Sequence, residues 1–293
     1  MENFFKVANE DSSPNRNSLW TNHRNVVKGF FEEIYLKKGH LGRIGIFGAG
    51  NCDDLDIEYI SSICEEIILF DIDLSSMTRA YENLSIEIRN KITLVKVDLT
   101  SLDNGDFYTE YVDLLKSNQK PKKIKNFLVK TANELRVTNE DLKKYFNTCD
   151  IVASSAVYSQ LFYNWALIEL DQHGQYSNKE FRDITENGLV YLRNSIVKFY
   201  NDELVSLAKN NAGVIVWADL FEVSPEDYNI LKTGDLTSAQ PLIFKKGFQA
   251  SVNGIKGLHS KFAEFVVMRD WIWEFEASKT YYCRGVCGFL GKN

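Results

Sequence analysis

Apolar residues follow two rhythms along this chain. Trp20 to Tyr35 places Val27, Phe30, Phe31 and Ile34 on one helical face, and Lys37-Lys38-Gly39 closes that helix with cations and a glycine. Arg43 to Phe47 is a short continuous apolar run that leads directly into Gly48-Ala49-Gly50-Asn51-Cys52-Asp53. A helical pattern follows through Leu55, Ile60 and Ile63. A second apolar run, Ile67 to Phe70, ends at Asp71-Ile72-Asp73. Met77, Ala80, Tyr81, Leu84 and Ile88 give the next helix, and Ile92 to Val97 a third strand ending at Asp98. Strands that are apolar throughout, rather than at alternate positions, predict a parallel sheet covered on both faces.

The rhythm breaks from Asn104 to Thr148. Ile124, Phe127, Leu128 and Leu135 predict one helix, and Thr138 to Phe146 another, with Asp141 placed as in a capping box. Asp150 to Ala153 resumes as a fourth strand, followed by a helix through Gln160, Leu161, Trp165 and Ile168. A long helix, Phe181 to Lys209, with a break near Gly188, ends at Asn210-Asn211-Ala212-Gly213. Val214 to Ala218 is a fifth strand closing at Asp219. Phe262 to Met268, Trp271 to Phe275 and Tyr281 to Phe289 are aromatic and β-branched, and read as antiparallel strands with a turn near Ala277-Ser278-Lys279. The expected architecture is doubly wound α/β. It has a mostly parallel sheet, a helical cap over residues 1–40, a main domain over 41–293 and a helical insertion at about 104–148.

Composition narrows the function classes. With 44% hydrophobic and 25% charged residues the chain is a folded protein, not a disordered or collagenous one. Forty acidic against 34 basic residues, net −6, argue against broad contact with a nucleic-acid backbone, which needs clustered positive charge. Met1 to Asn17 lacks the apolar core of a signal peptide, and no run approaches the ~18 apolar residues of a membrane span. Five cysteines without a CxxC pair predict thiols in a reducing, cytoplasmic setting and no metal site; Cys283 and Cys287 lack nearby partners for zinc.

The strongest chemical signal is strand, glycine turn, helix, then an acidic residue. Gly48 and Gly50 allow a sharp turn and close approach of backbone to a ligand. Asp71 ends the second strand, where a carboxylate can accept both hydroxyls of a ribose. Asp98 ends the third, on the same carboxyl edge. These pieces converge on one crevice suited to an adenosine-type ligand. The third small residue of a dinucleotide fingerprint is replaced by Asp53, so a nicotinamide dinucleotide fits poorly.

The runs IGIFGAGNCDDLD, ILFDID, ITLVKVDL and CDIVASSAVYSQL, in that order, resemble motifs I to IV of class I S-adenosylmethionine-dependent methyltransferases, from about Gly42 to the C-terminus. The closing WIWEF…KTYYCRGVCGF resembles the late antiparallel hairpin of that fold. The resemblance implies a seven-stranded, Rossmann-like sheet whose last strand inserts antiparallel, with S-adenosylmethionine as cofactor. It places Gly48, Ala49, Gly50 and Asn51 along the methionine part and Asp71 on the ribose. Ile72, Asp98 and Leu99 would lie about the adenine, and Ser154 and Ser155 at the methyl-transfer site. Two positions depart from the family pattern. Ile46 stands where an acidic residue is usual, and Cys52 replaces the third glycine; Asn51 or Asp54 could supply the missing polar contact.

Methyl transfer chiefly requires alignment of a nucleophile in line with the leaving sulfur, with a base where the acceptor is a hydroxyl or ammonium. The candidates for such a role are Tyr158, His173, Asp219 and His259, with His23 a weaker one; packing, capping or a surface position is the bland alternative for each. The Asp/Asn-Pro-Pro-Tyr/Phe signature of base or glutamine methylation is absent from motif IV. The expected activity is therefore O- or N-methylation of a small molecule or peptide by a soluble enzyme, with a homodimer compatible. The alternatives are a non-catalytic cofactor-binding partner module or another user of the fold, such as an aminopropyl transferase.

Overall fold

The computed structural model describes residues 16–102, 106–117, 119–135, 140–174, 178–231 and 236–291. Helices α1 (Arg16–Leu19) and α2 (Thr21–Lys38) precede β1 (Leu41–Phe47), α3 (Ile57–Ser62), β2 (Cys64–Asp71), α4 (Leu74–Glu82), α5 (Ile86–Arg89) and β3 (Ile92–Lys96). Then come α6 (Phe107–Lys116), α7 (Pro121–Glu134), α8 (Glu140–Lys143), β4 (Cys149–Ser155), α9 (Tyr163–His173), α10 (Lys179–Ser206) and β5 (Ala208–Glu222). Helices α11 (Pro225–Leu231), α12 (Leu236–Lys246) and α13 (Gln249–His259) lead to β6 (Phe262–Glu276) and β7 (Lys279–Leu290).

The seven strands lie in the order β3-β2-β1-β4-β5-β7-β6. β1 to β5 run parallel, and β7 inserts antiparallel between β5 and β6. This is the seven-stranded sheet, with the last strand inserted antiparallel, that the motif resemblance implies. Side chains alternate cleanly between two cores. Ile67, Leu69, Ile151, Ala153, Ile215 and Trp217 face one; Ile68, Phe70, Val152, Val214, Val216 and Ala218 face the other. Both faces are covered, which is why the strands read as continuous apolar runs.

Helices α2, α3 and α4 and the β6–β7 hairpin enclose the first core, where Val27, Phe30, Phe31 and Ile34 of α2 are fully buried. Helices α6, α7, α9, α10 and α13 enclose the second. Residues 1–15 of the expected cap lie outside the described residues. The Asn104–Thr148 stretch places Phe107, Tyr111, Ile124 and Leu128 in the second core, and α7 packs along α10.

Several elements differ from the sequence pattern. α10 runs unbroken past Gly188, because that glycine lets α7 approach: a Cβ there would press on Leu128 and on the backbone of Lys125. Asn210 to Gly213 belong to β5 instead of ending α10; Ala208 already pairs with Cys149, and a register shift between Cys149 and Ile151 absorbs the polar residues. β6 is one strand from Phe262 to Glu276; its pairing with β7 runs in unbroken register across Arg269-Asp270, and its three register shifts lie nearer the two ends. Helix α6 carries no strong sequence signal. Of the expected Thr138–Phe146 helix, 138 and 139 lie outside the described residues, and the rest forms only the single turn α8.

Glu203 is an unusual member of α10. It is fully buried, and neither carboxyl oxygen has a hydrogen-bond partner among the described residues. Burial, with the Asp98 charge adding, pushes its carboxyl up to about 8. The folded state therefore keeps a proton that the unfolded chain releases above the ordinary value of 4.5. Stability contributed at low pH is lost as pH rises from about 4.5 toward 8. Glu203→Gln is accordingly expected to match the parent near pH 4.5 in urea unfolding. At pH 8.5 it should exceed the parent by on the order of 2 kcal/mol; a pH-independent difference would refute the protonated carboxyl.

Candidate functional site

At the carboxyl edge of the parallel strands lies a cavity of about 750 Å3. It is built from the loops after β1, β2, β3 and β4, the end of β5, the segment Gly247–Ala250 and the tips of β6 and β7. Residues Arg16 and Trp20 of the N-terminal helices also line it.

The glycine turn forms one end. Gly48 has φ +72° and Gly50 φ +47°, a region that side chains rarely adopt. A Cβ on Gly48 would also run into Val157 and the Ser155 carbonyl. The amides of Gly48 and Ala49 donate to the Phe70 carbonyl at 2.9 and 3.3 Å, pinning the turn to the end of β2. Cys52, where the motif resemblance expects a third glycine, holds φ +57°, a left-handed backbone that glycine adopts freely. Ile46, at the usually acidic position, is buried in the first core.

Asp71 accepts the Gly50 amide on Oδ2 and the Asp73 amide on Oδ1, both at 2.9 Å. Each oxygen retains lone-pair capacity for a further donor. Burial raises the Asp71 pKa from the ordinary carboxylate value, partly offset by these backbone donors. Asp73 caps α4, accepting the Ser76 amide. Asp98 turns into its own loop: Oδ1 accepts the Thr100 amide and hydroxyl at 2.8 and 2.7 Å, and Oδ2 accepts Tyr108 Oη at 2.8 Å. Ile72, Asp98 and Leu99 all line the cavity, as do Ala49 and Asn51. Arg79 donates to Asn51 at 3.3 Å.

The middle of the floor is a buried carboxylate that the motifs did not single out strongly. Asp54 Oδ2 accepts Ser155 Oγ and, at 3.2 Å, Trp217 Nε1. Burial pushes Asp54 up to about 6, against the hydrogen bonds that lower it. Ser155 lines the cavity; Ser154 does not, facing the other side of the sheet, where it accepts Tyr200 Oη at 2.8 Å.

Asp219 forms the far end. The register shift between Asp219 and Phe221 on β5 gives the strand a local kink at this point, as bulges do beside sites. Its residue is 6% exposed, and burial pushes its carboxyl up to about 6. Oδ1 accepts Ser159 Oγ at 2.8 Å, and the Lys279 charge acts on the carboxyl from the β7 side. Around it stand Trp273, Phe275 and Tyr281, with Phe248 from the loop before α13. Lys279 shares a hydrogen bond with Tyr281, which raises its pKa. Arg16 pairs with Asp53 at 3.3 Å and lies over the Trp20 ring, 4.9 Å from its centroid.

The other candidates stand elsewhere. Tyr158 borders the cavity, but its hydroxyl is spent on Asn201 at 2.6 Å within the second core. His173 is the last residue of α9, not a loop residue, and faces Glu169 at 3.4 Å, outside the cavity lining. His259 is exposed at the end of α13, packing edge-on against Phe262 and Phe265. His23 is a buried residue of the first turn of α2, with Nδ1 accepting Trp271 Nε1 at 3.0 Å. Among the described residues no cluster of three or more His, Cys, Asp or Glu is placed to hold a metal ion, and no helix is long and apolar enough to cross a membrane. Sequence reasoning missed Lys279, Arg193 and Gln249 as cavity residues: Lys279 lies in the closing hairpin run, which assigns it no role, and Arg193 and Gln249 lie on helices that carry no motif.

No family model matches this chain, and no curated protein matches it. Solved structures do. A SAM-dependent methyltransferase from Aquifex aeolicus is 13% identical, with 99% of this chain and 98% of that chain covered and a TM-score of 0.39. A structure described for conversion of a disulfide bond into a thioacetal group during echinomycin biosynthesis is 9% identical, covering 89% and 82%, with a TM-score of 0.44. Spermidine synthase from Thermotoga maritima is 9% identical, with a TM-score of 0.42; 94% of this chain covers only 60% of that one. At this depth the likeness leaves the site to be argued from the chain's own geometry.

The turn makes a specific demand. Gly48→Ala combines a positive φ with a steric clash and should lower stability by about 2 kcal/mol. Cys52→Gly relieves a left-handed backbone while adding unfolded-state entropy, and should stay within about 1 kcal/mol of the parent. Denaturant unfolding of both variants checks this; equal effects would contradict the assigned turn.

Proposed function

We propose that this protein transfers a methyl group from S-adenosylmethionine to a small-molecule or peptide acceptor. The observation that carries this reading is one cavity holding three things. They are the glycine turn, an Asp71 carboxylate hydrogen-bonded to that turn, and a separate buried carboxylate, Asp219, at the opposite end.

In this reading Asp71 accepts the two ribose hydroxyls. Ile72 and Leu99 flank the adenine, and Asp98 fixes the turn that carries Leu99. The backbone at Gly48 to Gly50, with Asp54 and Ser155 below, takes the methionine end, where the carboxylate of Asp54 meets the cofactor's ammonium. The bound cofactor supplies an electrophilic methyl carbon. Asp219 then serves as the proton acceptor for the nucleophile, with Ser159 holding its carboxylate in orientation. The aromatic wall excludes water from that end and restricts the acceptor's approach, an alignment effect.

Two measurements test the reading. Calorimetric titration should show binding of S-adenosylmethionine and S-adenosylhomocysteine, weakened at least about tenfold by Asp71→Ala, the scale of a lost hydrogen bond to a charged group. Absence of binding to the parent protein would sink the proposal. With an acceptor that is turned over, kcat should rise with pH through about 6 as Asp219 ionises. Asp219→Asn should lower it by a factor of about 10²–10⁴. A flat pH profile in this range with an unaffected variant would remove Asp219 from the chemistry.

A further inference from the structure

The far end of the cavity has a character that the glycine-turn end lacks. Asp219 is more than nine-tenths buried and borders the cavity, and Ser159, on Oδ1, is its one side-chain hydrogen-bond donor among the described residues. A carboxylate shielded from water with so few donors gains free energy when a further donor arrives. The surfaces beside it are aromatic faces and edges, not aliphatic. Trp273 meets Phe275 at 5.1 Å and Tyr281 at 6.2 Å between ring centroids, and Phe275 meets Tyr281 at 5.6 Å. Glu276 closes the same wall.

Aromatic faces attract cations through the ring quadrupole. This wall already does so with the chain's own cations. Lys279 Nζ lies 5.9 Å from the Phe275 centroid and 5.4 Å from that of Tyr281, and Arg16 Cζ lies 5.7 Å from Phe275. Neither cation leaves the end positive: Arg16 pairs with Asp53, and Lys279 is held by Tyr281 and lies in the field of Glu222 and Glu276. Across the cavity lining, carboxylates outnumber cations by six to three among the described residues. An anionic acceptor would meet Asp219 and Glu276 with like charge. A neutral alcohol could donate only one hydrogen to Asp219 and would gain nothing from the rings.

We infer that the acceptor is an amine, bound as its ammonium with an N–H on the Asp219 carboxylate and its carbon substituents against Trp273, Phe275 and Tyr281. The assignment rests on the methyl-transfer reading for its chemistry and on Asp219 and the wall for its recognition. In the transfer, the ammonium gives one proton to the Asp219 carboxylate. The freed nitrogen lone pair forms the N–C bond to the methyl carbon of S-adenosylmethionine. The C–S bond breaks with its electron pair staying on sulfur, leaving S-adenosylhomocysteine and an N-methylated ammonium, with the proton on Asp219.

The test is a set of titrations at pH 7.5 with 2-phenylethylamine, 2-phenylethanol and 3-phenylpropionate. These share one apolar body and differ in charge. Each is titrated with and without saturating S-adenosylhomocysteine. The amine should bind about tenfold more tightly than the alcohol, the combined scale of a charged hydrogen bond and a cation–ring contact, and the acid least. Asp219→Asn should bring amine and alcohol to within about twofold, and Glu276→Gln should reduce the ratio by a smaller factor. If Asp219→Asn fails to unfold cooperatively on heating, Glu276→Gln alone carries the comparison. No detectable amine binding, equal binding of the three probes, or a ratio unchanged in both variants overturns the amine assignment even where S-adenosylhomocysteine binds. Conversely, failure of S-adenosylhomocysteine to bind sinks the methyl-transfer reading, while the probe series without it still decides the ammonium site.

Discussion

The hydrogen bond from the Gly50 amide to Asp71 joins the two loops on which the cavity depends. Parallel strands bring their carboxyl ends to one edge, but the loops leaving them have no ladder partners there. The Gly48 and Ala49 amides bond the Phe70 carbonyl, and the Gly50 amide bonds the next residue's side chain. The loop after β1 is thus stitched to the end of β2 at three successive positions. The positive φ at Gly48 and Gly50, on either side of Ala49, turns the chain so that all three amides meet the end of β2, which accounts for glycine at both positions. Every other wall of the cavity is measured from that fixed turn.

The cavity's carboxylates differ in how fully they are satisfied, and that difference orders the site. Asp98 is saturated by Thr100 and Tyr108 and acts as a brace for its loop. Asp71 is half-satisfied, with two backbone donors and spare lone pairs. Asp54 rests on Ser155 and Trp217, and Asp219 has Ser159 as its one side-chain donor among the described residues. Burial raises Asp54 and Asp219 alike to about 6, so both are mostly ionised at neutral pH yet destabilised by their surroundings. Such groups favour a cation or a donor strongly, because pairing relieves a penalty that folding has already incurred. The overall charge of −6 conveys little of this; what matters is that part of it is concentrated on one sheet edge.

The central sheet was legible because its signals are local. A continuous apolar run, a glycine turn and a terminal aspartate lie within a few residues of each other, and the parallel order follows from their repetition. The hairpin was half legible. Its aromatic, β-branched composition announces antiparallel strands, but the continuity of β6 across Arg269-Asp270 depends on Asp270 receiving two bonds from Arg284 of β7 at 2.7 Å, a tertiary pairing absent from any local pattern. The unbroken α10 likewise depends on contact with α7 at Gly188. In the site, Asp71 lay at a fixed offset from the glycines. The contact of Asp54 with Trp217 spans 163 residues, and the Asp219–Ser159 pair spans 60. No spacing rule reaches those distances. Ser154 and Ser155 show the limit most simply: adjacent in sequence, they face opposite sides of the sheet because strand side chains alternate.

The same alternation explains how the N-terminal helices come to shape the acceptor end. On β6, Trp271 and Trp273 project on one side, two residues apart, and α2 lies against them. Trp271 donates to His23 Nδ1, and the His23 ring stacks on Trp273 at 4.0 Å. Trp20 meets Trp273 edge-on at 4.7 Å and donates from Nε1 to the Phe275 carbonyl at 3.0 Å. The bond from Trp271 needs an uncharged imidazole. Nδ1 accepts it with its lone pair, and the neutral ring's proton sits on Nε2, which has no partner among the described residues. A second proton on Nδ1 would remove the acceptor. Burial supplies that condition, pushing His23 down to about 3, so it stays neutral throughout the range in which Asp219 ionises. The ring orientations of Trp273 and Phe275 are therefore held from behind by Trp20 and by His23 of α2, as well as by Tyr281 on the cavity side. A wall fixed in this way cannot rotate to suit an arbitrary acceptor; the acceptor must suit the aromatic surface and the Asp219 carboxylate that the fold presents.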